Sequence, residues 1–328
     1  MAEEVWMLQT KKADFKQIGA RFRIDPVTAR IIRNRGIEGE AAIDRYLNGT
    51  LDDLYDPMLL KDMECAVSIL CEAVDTGKKI RIVGDYDIDG VCSTYILLQA
   101  FERLGSDVDF EIPDRIKDGY GINESIIEQA HADGVEVILT CDNGISAFHQ
   151  VELAKKYGMT VVITDHHEVP LDGEKEKIPP ADAVIDPKQA DCPYPFPEIC
   201  GAVVAYKLVQ VLYARRGVPQ MEWLDLLEFA AIATVGDVMK LQDENRILVK
   251  YGLKKMAQTK NLGLRRLAEK NNLDLGAITA YHIGFVIGPC LNAGGRLKTA
   301  KEALALLRAQ SEEEAERYDA ALEPMEKK

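Results

Sequence analysis

Histidine is scarce in this sequence, with five in 328 residues, and there are only two tryptophans. No apolar run approaches the length of a bilayer crossing, which excludes a membrane-spanning helix. The opening residues MAEEVWMLQTKK contain no apolar core of a secretory leader, so the expected compartment is the cytoplasm. None of the seven cysteines (Cys65, Cys71, Cys92, Cys141, Cys192, Cys200 and Cys290) forms a C-x-x-C pair. That removes the common ribbon and redox motifs. The odd count fits reduced thiols in apolar surroundings, with a structural zinc site as the remaining alternative. Basic residues are also short, 40 against 54 acidic, for a net charge of −14. This balance argues against a general nucleic-acid binder. It leaves room for metal ions that offset acidic ligands and for a local basic strip. A 47% hydrophobic and 29% charged composition reads as globular with a sizeable core, and the length accommodates about two domains.

The most informative stretch is KIRIVGDYDIDGVCSTY, Lys79–Tyr95. Asp85, Asp87 and Asp89 stand at every second position between the β-branched run Ile80–Val83 and a helical pattern over Val91–Leu104. Carboxylates crowded at the end of a buried strand repel one another and are tolerated when cations hold them. Hard oxygen ligands of this kind suit Mg²⁺ or Mn²⁺. The pattern recurs: the apolar run Val135–Thr140 ends in Cys141-Asp142-Asn143-Gly144, and Thr160–Thr164 ends in Asp165-His166-His167. In open parallel α/β sheets the C-terminal strand edge is where ligands bind. A lone Asp-x-Asp-x-Asp-Gly also fits a calcium loop, but Ile96 stands near where such a loop needs its glutamate.

The organisation supports an α/β class, a parallel sheet flanked by helices with helical segments at both ends. Residues 1–78 carry helical spacing at Glu40–Leu47 and Asp62–Thr76, broken at Asp56-Pro57. From residue 79, strands and helices alternate: Ile80–Val83, Val91–Leu104, Val108–Ile112, Asn123–Ala132, Val135–Thr140, Ser146–Tyr157 and Val161–Thr164, with Ala183–Asp186 as a further strand. After Gly201 the pattern is helical through Tyr213, then over Trp223–Val238, Glu244–Gln258, Leu262–Asn271 and Thr299–Leu307. The charged segment Ser311–Lys328 is too polar to bury much of itself. The expected divisions are 1–78, 79–240 and 241–328.

These motifs resemble the DHH phosphoesterase superfamily, named for the triplet seen at Asp165–His167. Further stretches resemble its RecJ-type branch: PDRIKDGYGIN (Pro113–Asn123), CPYPFPEICGAVVAYKL (Cys192–Leu208), ATVGDVMKLQDENRILVKYGL (Ala233–Leu253) and PCLNAGGRL (Pro289–Leu297). The resemblance runs from about residue 35 to the end. It implies a two-metal, Mn²⁺- or Mg²⁺-dependent nuclease that degrades single-stranded DNA from the 5′ end to 5′-mononucleotides, in repair and recombination alongside replication and repair proteins. It also implies that the chain stops within a helix leading to a second domain, DHHA1, whose glycine- and histidine-rich motif does not occur here.

By the same resemblance Asp87 and Asp89 ligate different metals, Asp142 bridges them, His166 binds one, and Asp237 in TVGDV supplies the last carboxylate. Asp85 completes one shell, because apolar Val83 occupies the place where related enzymes often carry a histidine. His167 is the candidate for contacting the scissile phosphate or protonating the leaving oxygen, and Asp165 for orienting a histidine. Arg115 is implied near the 5′-terminal phosphate and Arg296 near the scissile one, with Asn143, Gly294 and Gly295 in the substrate-binding motifs. Lys117, Lys188, Arg246 and Lys298 are further cations, and Tyr120 suits either base stacking or packing. His131, His149 and His282 lack such context and read as structural. Two other readings stay open: a phosphoesterase for short oligonucleotides, cyclic dinucleotides or pyrophosphate, and a catalytically silent relative that binds repair partners.

Overall fold

The computed structural model describes residues 11–114, 119–297 and 300–322, with backbone alone over 293–297 and at 321. The packing divides the chain into two units, one ending at Leu54 and one beginning at Tyr55. The first holds helices α1 (Phe15–Phe22), α2 (Pro26–Asn34) and α3 (Glu40–Asn48). Asp14 and Asp25 cap α1 and α2 by accepting from the amides of Gln17 and Val27, and Pro26 opens α2 where no amide is needed. Ile32, Ile37, Ile43 and Tyr46 form this unit's small core.

The second unit is built on strands β1 (Ile80–Val83), β2 (Val108–Glu111), β3 (Val137–Cys141) and β4 (Thr160–Thr164). A short antiparallel pair follows, β5 (Leu171–Asp172) and β6 (Lys175–Glu176), and then β7 (Ala183–Ile185). The main sheet runs β2-β1-β3-β4-β7, parallel throughout. The sequences IRIV, VILTC, TVVIT and AVI are near-continuous apolar runs, as expected of parallel strands covered on both faces. Helices α4 (Met63–Thr76), α5 (Ile88–Arg103), α6 (Glu124–Ala132), α7 (Phe148–Lys156) and α8 (Gly201–Arg216) cover the sheet. Ile126, Ile127 and Ala130 of α6 and Val151 and Ala154 of α7 share one core cluster with Val83, Ile138 and Ile163. On α5, Thr94 meets Cys141 at 3.5 Å. The winding direction reverses between β1 and β3, and such a switch point opens a crevice at the strand C-termini.

Beyond the sheet lie α9 (Gln220–Leu224), α10 (Leu227–Gly236), α11 (Asp243–Met256), α12 (Leu262–Lys270), α13 (Ala280–His282), α14 (Gly288–Leu297), α15 (Ala300–Leu307) and α16 (Glu312–Ala321). A π-helical turn, Ile283–Ile287, leads into α14. Three observations depart from the sequence pattern. Helix α5 starts at Ile88 rather than Val91, because the Asp87 carboxylate accepts from the amides of Asp89 and Gly90 and caps it. The stretch expected as one helix over Trp223–Val238 is two. The Leu226 amide closes on Trp223 after three residues and ends α9, and the buried Leu226, Leu227 and Phe229 then turn into the core. Within the charged segment after Ser311, Glu312–Ala321 form α16 and bury more than the polarity of that segment suggests. Asp319 is buried there because Arg266 (3.4 Å) and Lys270 (3.2 Å) hold it, and Ala315 packs beside it.

Candidate metal centre

Three strand ends and two helix ends deliver the polar side chains of one cluster. From the β1 end come Asp85, Asp87 and, inside the first turn of α5, Asp89. From the β3 end comes Asp142, with a left-handed backbone at φ 60°. From the β4 end come Asp165, His166 and His167, and Asp237 follows the last residue of α10. Three groups each place ligand atoms within 4.8 Å of one another: Asp85, Asp87 and Asp142; Asp89, His166 and Asp237; and Asp142, His166 and His167. Asp142 and His166 each belong to two of these. His166 Nε2 lies 3.1 Å from Asp142 Oδ1, 3.4 Å from Asp89 Oδ2 and 3.9 Å from Asp237 Oδ2.

Local folding explains why the group converges. The Asp89 carboxylate accepts from the amides of Gly201 and Ala202, both at 2.7 Å, so it sits on the N-terminus of α8, where exposed N–H groups favour an anion. Gly201 allows this approach. A Cβ there would stand 2.7 Å from Asp142 Cβ. On the other side, a Cβ at Gly90 would stand 2.3 Å from the Asp85 carbonyl oxygen. Asn143, with its implied place among the substrate-binding residues, is taken up by backbone. Its Nδ2 donates to the carbonyls of Val83 and Cys141, and its Oδ1 accepts from the Ile122 amide. It ties β1 to β3 and to the loop that follows Gly121.

Asp165 is fully occupied within the protein. Its Oδ2 accepts from the Ile145 amide, and its Oδ1 from the amides of His166 and His167 and from His167 Nδ1 at 2.7 Å. His167 Nε2 lies 3.0 Å from the Tyr120 hydroxyl, which donates to the Asp142 carbonyl. A protonated His167 satisfies this chain from end to end. Burial opposes its charge, but the Asp165 bond and the charges of Asp165, Asp89 and Asp237 outweigh it, so its pKa is raised. Burial would push Asp165 up, yet His167 and the Ile145 amide hold it below the usual carboxylate range.

The remaining acids shift the other way. Burial, then the charge of Asp87, raises Asp85 to about 7. Burial, then Asp89 and Asp87, raises Asp237 to about 7. Asp87 is raised by burial and by Asp89, and Asp142 well above its ordinary value by burial and the surrounding carboxylates. His166 is lowered, burial being the main cause. Asp85 Oδ2, Asp142 Oδ1 and His166 Nδ1 are buried without a hydrogen-bond partner. Acids that repel one another around orphaned oxygens and a neutral imidazole are what a divalent cation would relieve, and the O/N donor set fits Mn²⁺ or Mg²⁺.

Asp186, at the end of β7, is a further strand-end acid, outside the three ligand groups, that the sequence motifs do not single out. It is fully buried with Oδ2 unpartnered, and burial, then Asp165, raises it to about 7. The same rule of acids at strand ends would have found it. Lys188 beside it is held by Glu168 at 2.9 Å. Arg115 and Lys117 lie outside the described residues, as does Lys298. Gly294, Gly295 and Arg296 fall in α14, where only the backbone is described. Of the other histidines, His131 stacks on Tyr157, His282 accepts from the Thr279 amide, and His149 is exposed.

A cluster of buried carboxylates and imidazoles at the switch point of a doubly wound parallel sheet defines an α/β protein with a divalent-cation centre. Residues 79–234, a little under half of the chain, match the DHH family, N-terminal domain. It is similar to the single-stranded-DNA-specific exonuclease RecJ of Bacillus subtilis (strain 168), with 36% identity over 323 residues, 98% of this chain and 40% of that protein. To the protein of the same description from Haemophilus influenzae it is 38% identical over 301 residues, 89% of this chain and 51% of the relative. Its fold matches RecJ from Thermus thermophilus in complex with Mn²⁺ at a TM-score of 0.77 and 31% identity, covering 94% of this chain and 43% of that one. The chain thus spans about half, or somewhat less, of the length of these relatives.

Proposed function

We propose that this chain carries the catalytic core of a divalent-metal-dependent exonuclease that degrades single-stranded DNA from its 5′ end to mononucleotides, in repair and recombination. One observation carries the reading: two ligand groups, Asp85/Asp87/Asp142 and Asp89/His166/Asp237, meet at Asp142 and His166. Residues 79–240 form the catalytic domain in this reading, and 241–328 lead towards a connecting helix. The relatives described as single-stranded-DNA-specific exonucleases support the substrate, and two similar RecJ structures with bound Mn²⁺ support the cofactor. A pair of divalent ions there would neutralise the phosphodiester and orient the attacking water.

The protein's own part is to hold and protonate. Asp85, Asp87, Asp89, Asp142, His166 and Asp237 are the metal-holding groups. Asp165 fixes the His167 ring and favours its charged form, which places His167 to stabilise or protonate the departing oxygen. A cavity of about 250 Å³ lined by Tyr120, Asn143, Ser146, Gln150 and His167 adjoins the cluster and suits a terminal nucleotide. The exposed rings of Tyr281 and Phe285, 4.9 Å apart and near parallel, offer a stacking surface for unpaired bases. All seven cysteines are free, which agrees with a reducing cytoplasm.

Mn²⁺-dependent release of mononucleotides from 5′-phosphorylated single strands, with strands blocked at the 5′ end resistant, is the expected assay result. Preference for dinucleotides or pyrophosphate would favour the small-substrate reading instead. The two histidines should separate. His166→Ala should weaken Mn²⁺ binding in calorimetry along with the rate, whereas His167→Ala should lose about 10²-fold or more in rate with metal affinity largely kept. Equal loss of metal binding in both variants would refute that division.

A further inference from the structure

Away from the metal cluster, a cavity of about 490 Å³ opens between α5, α10 and the segment from Lys260 to Leu262. Its size falls within the range of small-molecule sites. Tyr95 and Phe229 supply aromatic lining, their rings 4.2 Å apart. The lining charges pair off unevenly. Glu222 is held by Arg103, and Asp225 by Lys255. Glu228 is not matched. It is 3% exposed, its Oε1 accepts from the Thr259 hydroxyl at 2.8 Å, and its Oε2 is buried without a hydrogen-bond partner. A buried carboxylate oxygen left this way is costly unless a donor reaches it. Nearby, the Tyr95 hydroxyl accepts from Asn261 Nδ2 at 3.0 Å, so its own hydrogen remains to be donated. At the rim, the Lys260 side chain is 87% exposed and its ion-pair contact, Asp225, lies 3.9 Å away.

The cavity therefore offers an acceptor and a donor against aromatic walls, with a loosely held cation outside. We propose that it binds a nucleoside monophosphate through the donor edge of its base, guanine before the other bases. Adjacent N–H groups of guanine meet Glu228, the neighbouring carbonyl accepts from Tyr95, and the phosphate reaches Lys260. Thymine lacks the paired donors and leaves Glu228 unsatisfied, and sites built around a buried hydrogen bond discriminate on that basis. The choice of a mononucleotide rests on the proposed reaction, whose product it is. The site also stands on the two helices that end in the metal cluster. Tyr95 is six residues beyond Asp89 on α5, about 9 Å along the axis, and Glu228 lies in the first turn of α10, whose last residue Asp237 follows.

The test is calorimetric binding of dGMP, dTMP and inorganic phosphate to the chain in EDTA, where the acidic cluster repels phosphate. One dGMP per chain is expected, bound about tenfold or more tighter than dTMP, with no binding of phosphate alone. Glu228→Gln should lose about tenfold in dGMP affinity with its Mn²⁺ affinity unchanged. Lys260→Ala, on the surface and safe for folding, should weaken dGMP and dTMP alike. The proposal is overturned if dGMP binds no better than dTMP, or if neither substitution alters dGMP affinity. DNA degradation is a separate measurement. A chain that binds dGMP but does not hydrolyse DNA would discard the exonuclease reading and keep this site, and the converse result would do the opposite.

Discussion

Asp142→Ala is expected to reduce Mn²⁺-dependent hydrolysis by about 10³-fold or more, beyond the 10–100-fold typical of groups that only support metal ligands. Asp142 is the acid common to two of the three ligand groups, and its Oδ1 is buried with no hydrogen-bond partner, so its removal opens both halves of the centre. The fold should survive. Asp142 is raised by burial and then by Asp89, Asp87, Asp165 and Asp85, and alanine removes that repulsion. Initial rates at saturating Mn²⁺, with circular dichroism as the control for folding, are the measurement. A rate within tenfold of the unaltered chain would eliminate Asp142 as a shared ligand.

The second large effect concerns stability without metal. Asp85 and Asp237 have folded pKa values of about 7 against 3.8 ordinarily, and Asp87 and Asp142 are raised as well. Between about pH 4 and 7 the folded chain holds protons that the unfolded chain has released, so these groups make stability fall as pH rises. His167, also raised, adds to that fall, while His166, lowered by burial, gains stability approaching pH 6.5 and opposes it. Asp186 and Glu228 titrate near 7 outside the cluster, so the informative quantity is the difference between chain in EDTA and chain in Mn²⁺. The melting temperature in EDTA should fall from pH 5 to pH 8, and Mn²⁺ should restore it by an amount that grows with pH. At 100 times the dissociation constant that gain is about 2.7 kcal/mol. A Mn²⁺ effect that is absent, or constant across pH, would rule out the cluster as a metal site.

Much of this centre was legible because its residues end apolar strands. Ile80–Val83, the run before Asp142 and Thr160–Thr164 all read as strands from β-branched content alone, and the parallel sheet follows from their alternation with helices. Asp237 was different. Nothing in its spacing distinguishes a ligand from an exposed helix-end acid, and only the likeness of TVGDV to a known motif singled it out. What escaped entirely are contacts that join distant segments through backbone. The amides of Gly201 and Ala202 carry no side-chain signature, and the Asn143 amide that looks like a substrate contact is used up by the carbonyls of Val83 and Cys141. Similarity also marks residues whose work is packing. Lys207 and Glu244 come from two different RecJ-like stretches and meet as a fully buried ion pair at 3.1 Å.

The clamp of Asp89 by the first turn of α8 carries a consequence for biosynthesis. The bond joins residues 112 positions apart. At ribosomal speeds of about 5–20 residues per second, some 6–22 s separate the appearance of the aspartate from that of its amide partners. During that interval the acidic loop after β1 has no anion-binding helix end to receive it. Asp237 arrives later still. Until the start of α8 is made, Asp89 therefore lacks the amides that hold it, and its ligand group stays incomplete until Asp237 follows.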